Sequence, residues 1–108
     1  MREWAKEVRN IVDNQNNRSR EIDNTLFKLT QELSNSPFSL SAKRTQIGEW
    51  PLAWEVEIAK KKFIIREAEI AEKQKIYNHD DWGQPIDIIG KRDLVEVLQE
   101  IIVENMEK

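Results

Sequence analysis

Cysteine is absent from the chain, which excludes disulfides and thiolate metal sites outright and fits a reducing compartment. Glycine and proline number only three each, a poor supply of turn residues for a many-stranded sandwich or barrel. Three scattered glycines build neither a phosphate-cradling loop nor a dinucleotide fingerprint. The "GKRD" at 90–93 lacks the upstream glycine and the following hydroxyl of a P-loop. No Gly-x-Ser-x-Gly elbow is present, and the serines at 34–41 have no histidine near them in sequence. No stretch approaches the ~20 apolar residues that a helical membrane span requires. The opening "MREWAKEVRN" is charged from its second residue and leads into no apolar signal core. The expectation is a soluble, cytoplasmic protein that does not enter a membrane.

What the chain does have is charge. At 108 residues it makes one domain, and charged residues account for 34% of it, a mix suited to helices with one wet face. The net charge of -3 is unevenly placed: residues 1–34 balance, residues 35–79 are slightly basic, and residues 80–108 are acidic. That asymmetry favours protein partners over nucleic acid.

Residues 2–34 read as helical. Trp4, Val8 and Ile11 recur at spacings of four and three, and Ile22, Leu26, Leu29 and Leu33 resume the pattern. Between them the pattern falls on Gln15 and Arg18 or Ser19, inside "DNQNNRSRE". One continuous, coiled-coil-like helix with a polar layer in its seam accounts for this, as does a break at Asn16–Asn17. Ser36–Pro37 reads as the start of a short helix over 37–46, closed by Gly48, with an irregular connector as the alternative; in either case Phe38, Leu40 and Ile47 are expected to be buried.

The stretch "EWPLAWEVEIAKKKFII" supports two readings. As a helix over 51–78, starting at Pro51, it carries a stripe of Leu52, Val56, Ala59, Phe63, Ile70 and Tyr77. A second stripe of Trp54, Ile58, Ile65 and Ile76 lies on roughly the opposite side, which calls for a second covering surface. As a β-hairpin at about 52–77 it would turn at the lysines. After "YNHDDWGQP" the run "IDII" is a short extended piece or buried loop. A closing helix over 92–107 has Asp93 as its N-cap with Glu96 three residues on. The apolar residues of this helix spread over half its circumference, as for a helix seated in a groove.

Candidate chemistry is sparse. His79, the sole histidine, stands beside Asp80 and Asp81, but no second His or Cys exists to complete a common metal site. A polar turn is the simpler account. Lys60, Lys61, Lys62 and Arg66 could contact phosphates, yet consecutive lysines on a helix fan apart. Four tryptophans are many for this length, and Trp is enriched among interface anchors. The sequence therefore predicts an all-α domain of three or four helices, without catalytic residues, metal or cofactor. It would act as a protein–protein interaction or assembly module that forms a homodimer or higher oligomer. Trp50, Trp54, Ile58, Ile65, Ile76 and Trp82 are the interface candidates. A small nucleic-acid-associated regulator using Lys60–Lys62 and Arg66 is the alternative.

Overall fold

A computed structural model describes residues 3–108, so the expected helix start at Arg2 lies outside the described residues. Helix α1 (Glu3–Ser34) runs 32 residues without interruption, straight through Asn16–Asn17. It is followed by an antiparallel meander of β1 (Ala42–Glu49), β2 (Leu52–Ile58) and β3 (Lys61–Arg66), with β2 in the centre. Helix α2 (Glu67–Gln74) leads into a separate antiparallel pair, β4 (Lys75–His79) and β5 (Pro85–Lys91), and α3 (Leu94–Glu107) closes the chain.

The fold is α+β, not all-α, and neither a helical bundle nor a coiled coil. The correction centres on residues 51–78. Leu52, Trp54, Val56 and Ile58 alternate with half-buried neighbours along β2, and all four are buried on one face of the sheet. A strand places residues two apart on the same side, whereas a helix throws them about 200° apart. Along β2 the two opposed stripes of the helical reading, Leu52 and Val56 against Trp54 and Ile58, are therefore one strand face. Lys61–Arg66 pairs alongside as β3, so the lysines mark the turn, as the hairpin alternative has it. Only Glu67–Gln74 of this segment is helical. Pro51 sits with Trp50 in the β1–β2 turn rather than at a helix start.

The helix expected over 37–46 is likewise absent: the chain turns at 35–38 and enters β1. Gly48 is not a helix stop. It lies beyond a register shift in β1, where an added Cβ would come within 2.8 Å of the Pro51 carbonyl oxygen, a backbone approach only glycine permits. Phe38, Leu40 and Ile47 are exposed instead of buried, because the connector and the outer strand β1 run over the surface.

One core joins α1, β2, β3, α2 and α3. Ile22, Leu26 and Leu29 of α1 meet β2, Ile65 of β3, Ile70 of α2, and Leu94, Val97, Leu98, Ile101 and Ile102 of α3. Asp93 caps α3, its carboxylate accepting the Glu96 amide at 3.3 Å. Trp54 is fully buried at the centre, its Nε1 donating to Asp23 on α1 at 3.1 Å.

The β2–β3 turn contains a conformational cost. Ala59 and Lys60 have φ of 51° and 75°, the left-handed pair that a two-residue hairpin demands and that Asn-Gly adopts most readily. Lys60→Gly is expected to stabilise the protein by roughly 0.5–1 kcal/mol, the left-handed cost less glycine's unfolded-state entropy. A rise in the urea midpoint at unchanged slope reads this directly. A lower midpoint would show that the Lys60 side chain contributes more than its backbone costs.

Candidate functional site

The radius of gyration is 16.8 Å, against about 13 Å for a compact domain of this size. Two projections account for the excess. One is the N-terminal part of α1, in which every residue from Glu3 to Asn14 is exposed. The other is the β4–β5 hairpin, whose strands pair with each other and join the body chiefly at their base.

Both projections are rooted in one polar belt. Gln74 is a buried polar residue at the end of α2; its side-chain amide donates to the Arg92 carbonyl at 3.0 Å and accepts from Arg18 of α1. The Arg92 amide returns a hydrogen bond to the Gln74 carbonyl at 2.6 Å. Arg18 also pairs with Glu67 at 3.1 Å. On the other side of α1, Gln15 donates to the Glu49 carbonyl at 2.5 Å and Ser19 to Gln46 at 3.2 Å. The polar interruption of the α1 seam is thus explained. Gln15, Arg18 and Ser19 meet the polar rim of the chain's own body, where hydrogen-bonding side chains are needed.

Above the belt the apolar pattern resumes on the same face. Eighteen residues, about five full turns, separate Trp4 from Ile22, Val8 from Leu26 and Ile11 from Leu29, so each pair points in one direction. The second member of each pair is in the core; the first is open to water, Trp4 at 63%, Val8 at 49% and Ile11 at 57% exposure. Val12 borders the same row and is also exposed. The row makes a continuous apolar surface on an otherwise charged helix.

The hairpin carries a different feature. Its tip is fixed by Asp80, whose carboxylate accepts the amides of Trp82 and Gln84, both at 2.9 Å, while Gly83 takes φ of 81°. The Trp82 side chain is 87% exposed on this ordered turn, and Ile88 and Ile89 are exposed along the arm. Near its base, Glu72 accepts from Lys75 and Tyr77. The Lys75 bond, then the Tyr77 bond, holds Glu72 below the usual carboxylate range.

The sequence candidates separate accordingly. Trp54, Ile58 and Ile65 are buried inside the chain's own core, whereas Trp50, Ile76 and Trp82 are exposed. Trp50 lies at the β1–β2 turn beside Gln15, at the foot of the α1 arm. The row of Trp4, Val8 and Ile11 is visible in the sequence as helical spacing but is not among the interface candidates, because nothing in the pattern marks where the body ends.

The basic residues are divided between the turn and β3, where Arg66 lies opposite Ala53 at the far end from Lys61. Lys61 donates to the Met106 carbonyl of α3 at 3.1 Å, Lys60 is in the turn, and Lys62 lies opposite Glu57, which also faces Lys43. Asp80 is committed to the turn beside His79. No group of three or more His, Asp or Glu side chains gathers in metal-binding proximity among the described residues. The open cleft at the root of the hairpin, about 380 Å³, is lined by Arg18, Glu67, Gln74, Lys75 and Ile88 among others, with no hydroxyl or imidazole. No described helix is long and apolar enough to cross a membrane.

No family model, curated protein or solved structure matches the chain.

Proposed function

We propose that this protein is a non-enzymatic interaction and assembly module that associates with itself through the α1 arm. The observation that carries the reading is the exposed row of Trp4, Val8, Ile11 and Val12 beyond the polar belt. Four neighbouring large apolar side chains make a patch of a few hundred Å², the size at which functional contact surfaces are found. Their helix is long for an isolated projection, and covering its apolar face would hold it in place. A second copy brings the same surface and closes the contact by two-fold symmetry, the commonest arrangement among soluble oligomers.

Light scattering from low to several hundred micromolar protein tests the reading. The expected result is a weight-average mass that climbs from monomer to dimer across this range. A mass that stays monomeric throughout would overturn it.

A further inference from the structure

Resting on the self-association reading, we infer that two arms pair antiparallel and that Trp4 of each copy seats on the rim formed by Gln15, Glu49 and Trp50 of the other. The orientation follows from what the body already covers. The apolar face of α1 is exposed only over residues 3–14; from Ile22 onward the same face is buried on β2 and α3. Two helices in parallel would bring their C-terminal halves together on that occupied face. Antiparallel helices overlap only along the free arms, about 18 Å of helix, and send the two bodies in opposite directions.

The flanking residues select a register. Centring the two-fold axis between Arg9 and Asn10 sets Val8 against the partner's Ile11 and Ala5 against the partner's Val12. On the other flank Glu7 meets the partner's Asn14, a neutral hydrogen-bonding neighbour. Moving the axis to Val8 would instead bring Glu7 close to its own symmetry mate, a like-charge contact. In the favoured register Trp4 arrives level with the partner's Gln15.

That position is already furnished. The Gln15 side chain is tied to the Glu49 carbonyl, and Trp50 stands next to them at 62% exposure. Trp4 and Trp50 are thereby brought together across the interface, an aromatic pair with its polar edges near a hydrogen-bonded rim. The contact covers on the order of 1,000 Å² in total, at the low end for specific association, so a micromolar dimer is expected.

Because the chain has no cysteine, each introduced thiol is unique. Val8→Cys and Ile11→Cys proteins are oxidised separately and as a mixture, at a concentration where native protein is dimeric. The expected product is the mixed Val8–Ile11 disulfide, several-fold above either self-linked species. Trp50→Ala is expected to weaken the dimer roughly tenfold, the loss of one interface anchor. Efficient self-linking of each single variant would show parallel arms and overturn the inference. A dimer that forms no arm disulfide, or whose affinity ignores Trp50→Ala, would overturn it too while leaving self-association standing. A native protein that never dimerises removes the underlying reading instead.

Discussion

Trp54→Ala is expected to bring the protein to the brink of unfolding. The side chain is fully buried in the central strand and touches the core where α1 crosses the sheet. Removing a buried aromatic costs about 3–5 kcal/mol through lost transfer energy and the cavity left behind. Its Nε1 also donates to Asp23, whose second carboxylate oxygen accepts from Arg44 at 3.0 Å; Arg44 in turn stacks over the Phe27 ring at 4.9 Å. The indole thus locks the sheet to the helix by chemistry as well as volume. Domains of this kind have only about 5–15 kcal/mol in all.

Trp54→Phe separates the two contributions. It keeps most of the ring volume and forfeits the hydrogen bond, worth about 1 kcal/mol once the partial exposure of Asp23 is allowed for. Urea denaturation followed by circular dichroism should rank native above Phe above Ala. An alanine variant with a native midpoint would remove Trp54 from the centre of the core.

How far these features were legible in the sequence depends on the element. The two long helices announce themselves: α1 by recurrence at three and four, α3 by the same spacing and by Asp93 with Glu96. Their signals are local, and the structure realises them locally. The meander is different. "LAWEVEI" holds a clear strand alternation, but Ala, Glu and Lys around it favour a helix. Only the burial of Leu52, Trp54, Val56 and Ile58 against one common surface decides between them. That surface is built by α1 and α3, remote in sequence, so tertiary burial overrode local propensity. The turn made matters worse. Ala59 and Lys60 adopt left-handed angles without the Asn or Gly that would have advertised a hairpin.

The candidate site shows the same limit in another form. Its apolar row was plain in the spacing of Trp4, Val8 and Ile11. The polar layer at Gln15, Arg18 and Ser19 was also plain, yet its meaning was not. Those residues are where α1 leaves its own body, a boundary set by Glu49, Glu67 and Gln74 on distant elements.

That boundary makes one helix give opposite answers to one substitution. Val8→Glu with Ile11→Glu is expected to yield a monomer that keeps most of the native helicity and the urea midpoint of native protein diluted to the monomer. Every residue from Glu3 to Asn14 is exposed in the single chain, so the two carboxylates strand no core group there. In the dimer they would place four charges in the apolar seam. Each lost Val or Ile burial is worth roughly 1.5–3 kcal/mol, and the four together rival the ~8 kcal/mol that holds a micromolar complex. Leu26→Glu puts the same chemistry on the same face five turns below Val8, at a fully buried position. An unpaired carboxylate there has neither water nor a partner, so the fold itself should fail, seen as lost circular dichroism at any concentration. Light scattering and denaturation on the two variants check the contrast. A Val8→Glu/Ile11→Glu protein that still dimerises with native affinity would move the contact off the arm. One that unfolds would mean the arm supports the body after all.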